Sequence, residues 1–160
     1  MSIARVGHGY DVHALIDGDG FVLGGISISC DKALAAHSDG DVLIHALCDA
    51  LLGALGRGDI GRLFPDSDPA NANRDSREFL RAVRQLLDDD GYRLGNVDIT
   101  VIAQAPKLAP YVEAMRQLLA RDLGCEPARI NIKATTTEKL GFIGREEGIA
   151  VEAVVILGSD

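Results

Sequence analysis

The hydrophobic pattern of the chain changes period several times, and each change marks an element. Residues 6–13 read as a strand broken at Gly7 and Gly9, and residues 21–28 as a second extended segment bent at Gly24 and Gly25. Residues 41–55 place apolar side chains at helical spacing, with Ser38 and Asp39 as capping candidates and Gly56 as the stop. Residues 75–90 repeat that period through Phe79, Leu80, Val83, Leu86 and Leu87. Residues 110–123 form a third helical pattern, stopped at Gly124. Strands are expected over residues 97–102, 130–134 and 149–157, the last strongly apolar. Residues 58–73 have no period and carry Asp59, Asp66, Asp68, Pro65 and Pro69, as a long loop does.

Strands and helices mix without a strict βα repeat. The expected fold class is therefore α+β, a two-layer sandwich of a mixed β-sheet packed on helices, in a single domain over residues 1–160. The pair Gly7 and Gly9 lacks the third glycine and following helix of a dinucleotide fingerprint.

Composition narrows the function classes. The chain is 47% hydrophobic, which argues against disorder. Its net charge of −8 argues against a nucleic-acid or anionic-membrane partner. A small anionic substrate stays open, because bound cations invert the local sign. Cys30, Cys48 and Cys125 are odd in number and have no paired spacing, so free thiols in a reducing cytoplasm are expected. Met1-Ser2-Ile3-Ala4-Arg5 has no apolar signal core, and no apolar stretch approaches the roughly 20 residues of a membrane span.

Three of the four histidines lie in or beside acidic segments. On a strand, Asp11 and His13 share a face, while His8 takes the other. On the helix, Asp41, His45 and Asp49 are four apart and form a polar stripe among apolar neighbours. Asp11, His13 and His45 together offer two imidazoles and a carboxylate with an open coordination position, the layout of a catalytic zinc site. Asp41 and Asp49 are then candidates to orient His45 from behind. Each histidine alone fits a hydrogen-bonded core group equally well, and the same set also suits iron.

Two further segments carry possible phosphate chemistry. Thr135, Thr136 and Thr137 follow an expected strand, next to Glu138 and the cations Lys133, Lys139 and Arg145. Glu138 is a hard oxygen ligand suited to magnesium or manganese, although a threonine run also reflects simple strand propensity. Ala103-Gln104-Ala105-Pro106-Lys107 lies between a strand and a helix, as a ligand loop or a plain entry turn. The loop over residues 58–73 reads as a lid or as a solvated connection.

Four motifs occur in order: Gly7-His8-Gly9-Tyr10-Asp11-Val12-His13, Ala36-His37-Ser38-Asp39-Gly40-Asp41, Gly58-Asp59-Ile60-Gly61 with Phe64-Pro65-Asp66, and residues 134–144. From about Arg5 to Leu157 the chain closely resembles the 2-C-methyl-D-erythritol 2,4-cyclodiphosphate synthase family. The resemblance implies an intramolecular phosphoryl transfer in isoprenoid precursor biosynthesis. The 2-phosphate of 4-diphosphocytidyl-2-C-methyl-D-erythritol 2-phosphate attacks the β-phosphorus, CMP leaves and a cyclic diphosphate remains. The nucleophile is already ionised, so metals and positioning carry the reaction.

By resemblance, Asp11, His13 and His45 bind zinc, and Glu138 binds magnesium or manganese between phosphates. His37 and Thr136 are the catalytic pair that holds the phosphates, and Ser38 assists His37. Asp59 and Gly61, with the lid Phe64, Pro65, Asp66, Ser67 and Asp68, hold the methylerythritol, and Val12, Ile60 and Thr137 also bind substrate. Ala103, Gln104, Ala105, Pro106, Lys107, Leu108 and Ala109, with Thr135, form the cytidine pocket. Phe142 and Arg145 are further contacts. The family is a homotrimer with active sites between subunits, and the apolar last strand fits such an interface or a core. At Glu146-Glu147 this chain departs from a common Gly-Glu pattern, and at Leu108-Ala109 from a common Met-Pro. Two other readings are a metal-dependent phosphohydrolase, with Asp41 as the base, and a non-catalytic nucleotide-binding trimer.

Overall fold

The fold is taken from a computed structural model, which describes residues 4–159. The Met1–Ile3 part of the N-terminal segment and Asp160 lie outside the described residues. Seven strands and five α-helices run in the order β1 (Ala4–Asp17), β2 (Phe21–Leu23), β3 (Ile26–Ile28), β4 (Lys32–Leu34), α1 (Val42–Leu55), α2 (Ile60–Leu63), α3 (Ser76–Asp89), β5 (Tyr92–Ile102), α4 (Val112–Leu123), β6 (Ile130–Thr135), α5 (Gly141–Gly144) and β7 (Gly148–Ser159). The main sheet has the order β4-β1-β7-β5-β6, and β2 and β3 form a separate hairpin. All pairs in the main sheet are antiparallel except β5 and β6, so the sheet is mixed as expected.

The glycines of β1 do not break it. Gly7 and Gly9 face α1, and a Cβ added there would lie 1.8 Å from the Ala50 carbonyl oxygen and 1.9 Å from that of Ala46. Their missing side chains let the helix backbone settle directly on the strand. This is why α1 is buried on nearly every side, from Val42 to Leu55, and why its hydrophobic pattern is almost continuous. The amphipathic helices α3 and α4 complete the layer, with Phe79, Leu80, Val83 and Leu87 of one and Met115, Leu119 and Leu123 of the other turned inward. Asp122 of α4 accepts two hydrogen bonds from the Arg77 guanidinium of α3, at 2.7 and 2.9 Å.

The second face of the sheet is bare. On β7, Val151, Ala153, Val155 and Leu157 enter the core, while Val154 and Ile156 are 44% and 41% exposed. Val6 and Tyr10 of β1, 67% and 50% exposed, stand on the same outer face. The last strand is thus core on one side and an open apolar surface on the other, which an alternating strand permits. Three elements escape the hydrophobic pattern, β4, α2 and α5, because each spans only three or four residues. Helix α1 begins at Val42 with Asp41 as its cap rather than Ser38 or Asp39, since the Asp41 carboxylate accepts the Ile44 N–H.

Candidate metal centre and its cavity

Strand β1 delivers Asp11 and His13 to the face that meets α1, and α1 delivers His45 beside them. The three offer ligand atoms all within 4.8 Å of one another, the one such grouping of three or more ligating residues among the described residues. Asp11 Oδ2 stands 3.0 Å from His13 Nε2 and 3.4 Å from His45 Nδ1. The remaining ring nitrogens are engaged behind. His13 Nδ1 donates to the Gly40 carbonyl at 2.8 Å, which leaves Nε2 free to ligate. His45 Nε2 lies 2.9 Å from Ser76 Oγ and 3.2 Å from Ser38 Oγ, which turns Nδ1 inward. Two inward nitrogens and a carboxylate, each backed by a hydrogen bond, fit a divalent cation with an open position.

The charge balance agrees with that fit. Burial alone would push the Asp11 carboxyl up, but the imidazoles of His13 and His45 beside it outweigh burial and hold it well below the usual carboxylate range. Burial favours neutral His13, yet the hydrogen bond and charge of Asp11 win and raise its pKa. The carboxylate thus stays ionised, as a metal ligand must be.

The cluster opens into a cavity of about 320 Å³. Its walls include Asp11, His13, His37, Ser38 and His45, together with Ile60, Gly61, Phe64 and Asp66 of the lid loop. Nine of the expected site residues therefore meet in one place. His37 is exposed at the rim, and its carbonyl accepts the Asn73 N–H at 2.9 Å. Ser38 Oγ lies 3.2 Å from His45 Nε2. Val12 sits between the two β1 ligands, its N–H on Asp11 Oδ1 at 3.0 Å.

The lid loop is built rather than loose. Asp59 caps α2 by accepting the Arg62 N–H, and Asp68 caps a 3-10 turn by accepting that of Ala70. Pro65 accepts from the buried Asn71 amide at 3.0 Å, and Ser67 is exposed beside it. Phe64 stacks on Phe79 of α3 with centroids 4.5 Å apart, and Arg74 lies over both rings.

Two expected roles are corrected. Asp41 does not orient His45: it is fully buried, with Oδ1 accepting from Gly24 and Ile44 and Oδ2 from Gly25. Burial pushes its pKa up to about 6, against the pull of those backbone donors. Sealed in this way, it is no water-activating base, and the phosphohydrolase loses its candidate. Asp49 lines the cavity but is spent on the Ile60 N–H at 2.8 Å, fastening the lid to α1. Of the two hydroxyls that do back His45, Ser38 belongs to an expected site motif, whereas Ser76 carried no signal beyond a serine at a helix start.

The remaining expected residues form a second cluster. Thr135 ends β6, and Thr136 and Thr137 lie beyond it in a turn, where Thr136 Oγ1 accepts the Glu138 N–H at 3.2 Å. The Ala103 N–H donates to Thr135 O, and the Lys139 N–H to Gln104 Oε1, both at 3.0 Å, so the two segments are bound together. Ala105, Pro106, Lys107 and Leu108 continue that loop to the 3-10 turn at Ala109. Glu138 is exposed and left-handed at φ 53°. Phe142 and Arg145 are exposed too, the latter paired with Glu147 at 2.9 Å. None of this cluster lines the first cavity. The ends of β5 and β6 share the sheet end of Asp11 and His13, but two strands separate β1 from β6, about 14 Å at the usual strand spacing.

A mixed α+β domain with a cavity around a two-histidine, one-carboxylate centre is the class that fold and site define. The chain belongs to the YgbB family, which it matches over residues 4–158. It is 64% identical over 159 residues to a Thioalkalivibrio sulfidiphilus protein named 2-C-methyl-D-erythritol 2,4-cyclodiphosphate synthase, covering 99% of each chain. A Pseudomonas syringae protein of the same name is 60% identical over 153 residues, 96% of this chain and 98% of that one. Among solved structures, the bifunctional IspDF of Campylobacter jejuni superposes with a TM-score of 0.96 at 46% identity. All of this chain is covered, yet it spans only 43% of that longer protein. A Plasmodium falciparum IspF, solved as a CDP complex, gives 0.85 at 38% identity over 96% of this chain and 95% of that one.

Proposed function

We propose that the chain converts 4-diphosphocytidyl-2-C-methyl-D-erythritol 2-phosphate to 2-C-methyl-D-erythritol 2,4-cyclodiphosphate and CMP, as a cytoplasmic phosphorus–oxygen lyase. The observation that carries this is the convergence of Asp11, His13 and His45 with His37 and the lid on one cavity, in a chain so similar to named synthases. Asp11, Asp49 and Asp66 line that cavity, so an anionic substrate entering it needs compensating cations. Zinc held by Asp11, His13 and His45, with magnesium or manganese at Glu138, would supply that charge and polarise the β-phosphate.

The chain's own groups do the rest. His37 at the rim holds a phosphate, and Thr136 contributes a hydroxyl from the second cluster. Phe64, Asp66 and the backbone at Ile60 and Gly61 wall in the methylerythritol. Residues 103–109 and 135–138 hold the cytidine diphosphate portion, in keeping with the relative solved with CDP. No general base is required, because the attacking phosphate oxygen is already ionised.

The two clusters do not share a cavity within one chain, which supports a homotrimer whose sites lie between subunits. The open apolar face at Val6, Tyr10, Val154 and Ile156 supports the same assembly. Among the described residues no helix is long and apolar enough to cross a membrane. The decisive test incubates the cytidyl substrate with protein, zinc and magnesium and identifies the products. CMP with the cyclic diphosphate is expected. CMP with a linear diphosphate would mean hydrolysis, and no turnover would leave a binding protein.

A further inference from the structure

Ser76 begins α3, is fully buried, and lies 31 residues from the histidine it touches. Its Oγ donates to Asp39 Oδ1, and its backbone N–H donates to Asp39 Oδ2 at 2.9 Å. Asp39 is held in turn: the Asp41 N–H donates to its Oδ1 at 3.1 Å, and its own N–H donates to the Arg74 carbonyl at 3.2 Å. A hydroxyl has one proton. An ionised carboxylate only accepts, so the Ser76 proton is committed to Asp39. At 2.9 Å from His45 Nε2, Ser76 Oγ can then only accept. The proton between them belongs to the imidazole.

We propose that Asp39 and Ser76 are positioning residues that lock His45 in its Nε2–H tautomer and so aim the Nδ1 lone pair at the metal position. Ser38 does not reverse this. Its Oγ, at 3.2 Å, could serve Nε2 as donor, but a bare Nε2 would then face a Ser76 lone pair at 2.9 Å with no proton between. The relay has the logic of the carboxylate partners that hold metal-binding histidines elsewhere, with a hydroxyl inserted. Asp39 thus sets the geometry of His45 without touching it. His13 obtains the same result from the Gly40 carbonyl. One loop, residues 38–41, therefore helps fix both imidazoles.

This inference rests on the metal reading of the cluster, and its test separates the two. The His45 tautomer is read by ring nitrogen NMR in the metal-free protein at pH 8, and zinc affinity by competition with a chromogenic chelator. Wild-type protein is expected to show Nε2–H as the dominant form, whether or not it binds zinc. Ser76→Ala should mix the tautomers and weaken zinc binding by about 10–100-fold, with the helical circular dichroism retained. Ser76→Thr, which keeps the hydroxyl, should restore the tautomer, and Ser38→Ala should leave it in place. A dominant Nδ1–H form in wild-type protein overturns the proposal even if every variant misfolds. So does a Ser76→Ala protein with unchanged tautomer and zinc affinity. A wild-type protein that shows the tautomer but binds no zinc would instead sink the metal reading.

Discussion

Asp41 shows how a residue's type can be read correctly and its task wrongly. Its place four residues before His45 suggests a partner for the imidazole, yet both of its oxygens are consumed by backbone. Oδ1 takes two N–H groups and Oδ2 one, so the site demands a carboxylate rather than an amide. Asp41→Asn would set an NH₂ against the Gly25 N–H. It should destabilise the fold by about 2–3 kcal/mol in denaturant titrations, the scale of a buried donor left unsatisfied. A loss below half a kcal/mol would contradict this account. Glu146 is the converse case, a residue whose backbone argues against its side chain. It sits at φ 59° and is exposed, so its carboxylate gains little there. A glycine at this place would avoid the strain. Glu146→Gly should raise stability by about 0.5–1 kcal/mol, after the extra unfolded-state entropy of glycine is set against the left-handed penalty. The candidate ligands Asp11, His13 and His45 are legible because strand and helix periods place them on defined faces. Ser76 is not, because its contact arises from the packing of α3 beside α1 and leaves no trace in spacing.

At the scale of elements, the hydrophobic period found the three long helices and most of the sheet. It failed where an element depends on a neighbour. Gly7 and Gly9 looked like breaks in β1, yet they are the reason β1 is continuous under α1, since only hydrogen fits against the helix carbonyls. Gly9→Ala would force strand and helix apart at the level of the metal ligands. It is expected to cost more than about 3 kcal/mol, beyond ordinary overpacking, because the clash is with backbone that cannot rotate away. Gly158→Ala on β7, with nothing within 4 Å of the added carbon, is the control and should stay within about 0.5 kcal/mol. Thermal denaturation of both proteins checks the pair, and equal shifts would refute the close-approach account. Residues 58–73 read as one long loop without a period, yet they hold a helical turn and a 3-10 turn pinned by Asp49, Asn71 and the Phe64–Phe79 stack. Those anchors lie in side-chain pairs between elements, which a single linear pattern does not display.

At the scale of the whole molecule, the expected site divides into two clusters that one chain does not join. The metal ligands, His37 and the lid surround one cavity, whereas Thr136, Glu138 and the 103–109 loop gather at the ends of β5 and β6. In the proposed trimer different copies would bring the two sets together, a juxtaposition that no spacing within one chain displays. The bare face of the sheet is where that assembly is testable. Val6 and Ile156 are register partners on β1 and β7, both outward and both exposed. The double variant Val6→Asp, Ile156→Asp places two charges on that face without touching the core. Sedimentation should show a monomer, and turnover should fall by more than about 100-fold, because in the proposed trimer each site would lose the cluster that a neighbour supplies. Zinc affinity, in contrast, should stay within about threefold of wild type, since all three ligands and their backing hydrogen bonds lie within one chain. His45→Ala should give the opposite pattern, a trimer that has lost zinc. If the charged variant remained a trimer, the assembly would have to use another surface. If it became a monomer that kept full turnover, the two clusters would have to meet within one chain, against the separation across two intervening strands.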